Sequence, residues 1–130
     1  MQRRRKGDKN GLVTSIAQAT ICRRLANYRL KVPANAPVTQ FWSATTQSDE
    51  NGAFMDVSGR VALASTDQGV AKNADGSVDV YFGPKAPKAH ESNWVQTAPD
   101  KQWFIMFRFY GTKPAVFDKS WRMSDIETLN

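Results

Sequence analysis

Arg108 has the most to explain of any residue in this chain. It is the lone charge in the apolar run Trp103-Phe104-Ile105-Met106-Phe107-Arg108-Phe109-Tyr110. A charge drawn out of water needs a partner, because an uncompensated buried ion costs several kcal/mol. Two roles fit. In a structural role, Arg108 is tied to a carboxylate or to backbone carbonyls. In a functional role, it is an anion clamp on the floor of a pocket, with Arg60 and Tyr110 beside it. The pair Asn93-Trp94 raises a similar choice. A loop that delivers an Asn beside a large aromatic can line a pocket. It can equally plug the end of a barrel, Trp94 capping the core while Asn93 satisfies loop backbone. Arg60, Asn93, Trp94, Arg108 and Tyr110 therefore form the candidate ligand-binding set, and no set of residues stands out as catalytic.

Other spacings lead to less. Asn73-x-Asp75-Gly76-Ser77-x-Asp79 has the oxygen spacing of a loose calcium loop. A calcium loop wants more carboxylates and a closing bidentate Glu, whereas Asp75-Gly76 is a good turn pair because Gly tolerates positive φ. The turn is the better reading. His90 is the one histidine, next to Glu91. A single His excludes a His-rich zinc site, and no Gly-x-Ser-x-Gly elbow presents a serine to it. Asp118, Asp125 and Glu127 stand among Lys119 and Arg122 and read as a solvated surface rather than as an acid–base pair. Cys22 is the only cysteine, so no internal disulfide forms. Nothing around it favours a thiolate. Neither a metal nor a cofactor is expected.

These residues must be positioned by a chain of 130 residues, the length of one domain. Its net charge of +6 has the magnitude of a nucleic-acid binder until it is located. Arg3, Arg4, Arg5, Lys6, Lys9, Arg23 and Arg24, against Asp8 alone, account for all of it. The rest of the chain balances, so the globular part has no basic footprint for nucleic acid. No apolar run approaches the roughly 20 residues of a membrane span.

Residues 1–26 read as a basic leader, helical or disordered, outside the core. Leu12, Ile16, Ala19 and Arg23 recur at helical spacing, but the stripe is thin. A secretory signal is a third reading, with a short, polar h-region and Ala17-Gln18-Ala19 as its cleavage site. From residue 27 the pattern has period two. Tyr28, Leu30 and Val32 alternate with Arg29 and Lys31, the mark of a half-buried strand. Residues 40–46, 53–57 and 60–64 follow as strands, and Val78, Val80 and Phe82 make another. Residues 103–110 are apolar on both parities, which predicts a central strand covered on both faces. Residues 114–119 form one helical turn, with Trp121 docking after it. Short strands, regular turns and no long helix predict an all-β fold, a jelly-roll-like β-sandwich over residues 27–130.

The block Lys31-Val32-Pro33-Ala34-Asn35-Ala36-Pro37-Val38-Thr39-Gln40-Phe41-Trp42-Ser43 resembles that of a bacterial family, domain of unknown function 1214. The likeness continues through residues 72–84, 91–94, 103–111 and 117–121, and spans about residues 27–127. It implies a jelly-roll-like fold, a second unknown-function domain, numbered 1254, N-terminal to this one, and a periplasmic or exported setting. It implies no activity. Met1–Ala26 stands where such proteins lead in through a further strand and a Gly-rich turn. The chain therefore reads as a truncated or orphaned domain, left to pair with a second copy or with a separately encoded partner. On this view it is a binding or structural module. The alternative is an enzyme domain with an anion- or carbohydrate-like ligand site at the partner interface.

Overall fold

The computed structural model describes residues 3–7, 13–18, 27–48, 60–98, 102–113 and 126–129. Two β-sheets pack face to face as a sandwich. One sheet has five strands, in the order β1 (Arg3–Gly7), β2 (Val13–Gln18), β8 (Trp103–Thr112), β4 (Val38–Ser48) and β5 (Ala62–Ala64). The other has four, in the order β7 (Trp94–Gln96), β6 (Val78–Gly83), β3 (Tyr28–Val32) and β9 (Glu127–Thr128). All pairs are antiparallel except β6 with β7.

Period-two alternation decides which side chains meet between the sheets. Tyr28, Leu30 and Val32 of β3 point inward, in register with Phe82, Val80 and Val78 of β6. Trp103, Ile105, Phe107 and Phe109 of β8 are fully buried opposite them. Aromatic contacts join the layers. Trp103 lies 5.4 Å from Tyr28, edge to face, and 5.5 Å from Phe82. Within the five-stranded sheet, Trp42 stacks on Phe107 at 5.2 Å.

The central strand β8 is flanked by β2 and β4, as its composition predicts. Its second face is not sealed, however. Phe104, Met106, Arg108 and Tyr110 are only half-buried. Two sheets enclose one interior, so β8 has one fully dry face, and its outer row takes shelter from its own neighbours. Tyr110 stacks on its register partner Phe41 at 4.3 Å, nearly parallel. Where β4 bulges between Val38 and Phe41, Gly111 meets it at φ +74°. A Cβ there would strike the Thr39 side chain and come within 3.2 Å of the Gln40 backbone nitrogen, so the position takes glycine.

In place of the helix or disorder expected at the N-terminus, residues 3–7 and 13–18 are paired strands, and β2 continues onto β8. The helical stripe was too thin to hold. Val13, Thr14 and Ile16 are β-branched, and β8 needs a second partner for its backbone groups. The strand expected at 53–57, the turn at 114–119, and Cys22, Phe54, Asp118, Trp121 and Asp125 lie outside the described residues.

This face assignment has a measurable consequence. Phe107→Ala is expected to cost about 3–5 kcal/mol in urea unfolding. Met106→Ala, on the outer row, should cost well under half of that. Equal losses at the two positions would mean that both faces of β8 are sealed.

Candidate functional site

Among the described residues, the five candidates fall into two groups. Arg60, Asn93 and Trp94 lie where the edge strands β5 and β7 of the two sheets come together. Arg108 and Tyr110 lie on the outer face of the five-stranded sheet.

Arg60 acts as a clasp across the sandwich edge. It leads into β5, its carbonyl accepts the Gln96 N–H of β7 at 2.7 Å, and its guanidinium donates to the Ser92 carbonyl at 3.0 Å. Asn93 is buried at the end of the short 3-10 turn Glu91–Asn93. Its Oδ1 accepts the Ala71 N–H at 2.9 Å, and its Nδ2 donates to the carbonyls of Ala71 at 2.9 Å and Asp79 at 3.0 Å. The amide thus pins the loop that leads into β6 onto the loop that leads into β7. Trp94 donates from Nε1 to the Gly83 carbonyl at 3.0 Å, and the same carbonyl accepts the Thr97 N–H at 3.0 Å. Residues 84–93 bring the chain back over Tyr81, with His90 stacked on that ring at 4.4 Å, so that β7 runs parallel to β6.

Among the described residues, Arg108 meets neither the carboxylate nor the carbonyls expected of it. Nη1 donates to Thr45 Oγ1 at 3.2 Å, and that hydroxyl donates to the Met106 carbonyl at 3.1 Å. The reason is its face. A half-buried guanidinium keeps part of its hydration and needs no buried counter-ion. Tyr110 is two residues along on the same face, against Phe41. Neither Arg60 nor Asn93 is brought to this pair.

The Asn73–Asp79 segment is a closed turn. Asp75 Oδ1 accepts the Ser77 N–H at 2.9 Å and its hydroxyl at 2.6 Å, and Asn73 Nδ2 reaches Ser77 Oγ and Asp79 Oδ2. These bonds from Ser77, hydroxyl first, hold the Asp75 carboxyl below the usual carboxylate range. Among the described residues no three His, Cys, Asp or Glu side chains cluster as metal ligands. Glu127 lies in β9 and pairs with Arg29 at 2.6 Å on the exposed face of β3.

Two concavities lie at opposite ends of β3. One, of about 250 Å³, is lined by Tyr28, Tyr81, Phe82, Lys85, Pro87 and Leu129, the last 42% exposed. The other, of about 300 Å³, opens between the sheets where residues 33–37 carry the chain from β3 to β4 and residues 65–77 carry it from β5 to β6. Its floor is Val32, Trp42 and Val78, all buried. Asn35, Gln40, Thr66 and Lys72 line it and are exposed. Asn35 takes the left-handed conformation at φ 61°. Across from it Gly76, at φ +87°, comes so close to Ala34 that a Cβ would sit 3.2 Å from the Ala34 methyl. Most of these cleft residues lie in the blocks 31–43 and 72–84 that carry the family resemblance, but none of them has a residue type that signals a site.

Residues 17–114 match the family described as Protein of unknown function (DUF1214). The chain belongs to this family. The DUF1214 match begins inside the segment whose composition reads as leader. No curated protein matches the chain. Solved structures of other proteins share its fold. The VPA0106 protein from Vibrio parahaemolyticus superposes with a TM-score of 0.78 at 18% identity, over 95% of this chain and 32% of that one. A putative uncharacterized protein from Burkholderia cenocepacia gives a TM-score of 0.55 at 19% identity, over 90% of this chain and 29% of that one. The DUF1214 chain thus spans about a third of the length of the structures it matches. No helix among the described residues is long and apolar enough to cross a membrane.

Two consequences are testable. Asn93→Ala should cost about 1–3 kcal/mol in urea unfolding, because it removes all three bonds of a buried amide to the Ala71 and Asp79 backbone. Asn93→Asp should cost at least as much, since it sets a carboxylate against those carbonyls. For Asp75, a folded-state pKa below its unfolded value gives stability that is present above the unfolded value and lost as pH falls through the folded one. The stability gap between the wild type and Asp75→Ala should therefore be full at neutral pH and shrink below the ordinary value of 3.8. A gap that widens in acid would reverse the assignment.

Proposed function

We propose that this DUF1214 domain is a non-catalytic binding or structural module that packs on another β-rich domain through the outer face of its five-stranded sheet. The observation that carries the reading is the outer row of β8. Phe104 and Met106, and beyond Arg108 the stacked pair Tyr110 and Phe41, form a largely apolar row left half open. It is the largest such row on the central strand, and a second domain would complete its burial. Two further facts support the reading. In the matched solved structures a fold of this kind is about a third of the chain. The polar groups of Arg60, Asn93 and Trp94 are spent on their own backbone, which suits a scaffold better than a reaction centre.

When this chain is purified alone, the neighbour available to that row is a second copy. Sedimentation velocity at tens of micromolar is expected to show a dimer. The double substitution Phe104→Glu, Met106→Glu should return it to a monomer with an unchanged β-sheet spectrum. A wild type that stays monomeric and binds no apolar dye would remove the basis for the packing reading.

A further inference from the structure

We propose that the cleft between residues 33–37 and 65–77 binds a small organic carboxylate, its apolar body on the floor of Val32, Trp42 and Val78 and its anionic end at Lys72. The argument begins with which polar groups are uncommitted. Among the described residues, the side chains of Asn35, Gln40, Thr66 and Lys72 make no hydrogen bond, in contrast to Arg60, Asn93 and Trp94. All four line one concavity with an apolar floor, the combination typical of small-molecule sites. Both segments that form its walls are held in set shapes. Ser65 exchanges two bonds with the Trp42 backbone, at 2.9 and 3.1 Å. The Asn73–Ser77 turn is closed by its own network. The left-handed Asn35 stands at the same mouth, and such conformations gather at ligand clamps.

The lining then selects the ligand class. It contains no Asp, Glu, His or Cys, so it has no anionic or imidazole ligand for a cation. Its one ionisable side chain is Lys72, a single positive charge that one carboxylate neutralises, with no arginine fork for a phosphate. The ring that a sugar would stack on is taken, since Trp42 is buried against Phe107. Asn35, Gln40 and Thr66 can donate to carboxylate oxygens. A volume of about 300 Å³ is at the small end for ligand sites, so the ligand has on the order of ten heavy atoms. The cleft shares no residue with the row Phe41, Phe104, Met106 and Tyr110. Failure of the dimer therefore leaves this inference standing, and the reverse.

The test is an amide-shift NMR titration of the whole chain with benzoate and, separately, with neutral benzyl alcohol. Benzoate is expected to give saturating shifts confined to residues 32–42, 65–66, 72 and 76–78, with a dissociation constant on the order of a millimolar or below. Benzyl alcohol should bind about tenfold more weakly. Lys72→Gln should weaken benzoate by a similar factor, while Lys88→Gln, outside the cleft, leaves it unchanged. Non-saturating or scattered shifts, an equal response to the alcohol, or an undiminished response in Lys72→Gln would each overturn the proposal. The comparison of benzoate with benzyl alcohol uses the wild type and so does not depend on how any variant folds.

Discussion

One constraint organises this fold: β8 must be paired on both edges while only one of its faces is dry. Its inner row of Trp103, Ile105, Phe107 and Phe109 is the densest apolar surface in the described chain, and all four are fully buried. Burying each such side chain contributes about 1.5–3 kcal/mol, an upper figure given a partly compact unfolded chain. That burial requires an opposing layer, which β3 and β6 provide through Leu30, Val80 and Phe82. It also requires neighbours for ten residues of backbone, because unpaired N–H and C=O groups beside a dry core are costly. The long strand β4 satisfies one edge and β2 the other. The rest of the architecture follows from holding those two sheets in register.

The clasp at the β5–β7 edge shows how that register is kept. Edge strands of three residues contribute little alone. Arg60 joins them through both its carbonyl and its guanidinium, and Asn93 joins two loops through three backbone bonds. An Asn is suited to this because its amide both donates and accepts, matching a backbone N–H and carbonyl side by side. A Gln, one methylene longer, would lose more rotamer freedom and misplace the amide. The chemistry that makes Asn93 interesting in the sequence is thus used up in holding the edge together.

The strands were legible in the sequence wherever one face is wet. In β3 and β6 the alternation of Leu30 with Arg29 and Lys31, and of Val80 with Asp79, names the inner face directly. In β8 it fails, since both parities are apolar. What distinguishes them is β4, which sets Trp42 and Ala44 against the inner row and Ser43 and Thr45 against the outer one. That information lies sixty residues away and appears only once the register is known. The N-terminal hairpin was hidden differently. Its basic and hydroxyl residues have the composition of a leader, and only the open edge of β8 recruits them as strands. The parallel course of β7 depends on a loop folding back over Tyr81, a tertiary contact with no local signature.

Residue type is a poor guide to a binding site in such a domain, for a physical reason. The side chains that look functional are the polar ones embedded in apolar sequence, and burial obliges those to find partners within the fold. Asn93 meets this obligation with backbone groups and the half-buried Trp94 with a carbonyl, while Arg60 and Arg108, less buried, are committed to a carbonyl and a threonine hydroxyl all the same. Groups left over for a ligand must be ones that folding does not consume. Those sit in polar connections, where nothing in their surroundings draws the eye. Lys72 and Asn35 are of this kind: each is unexceptional in its own segment, and they matter together because two crossovers between the sheets end at the same mouth.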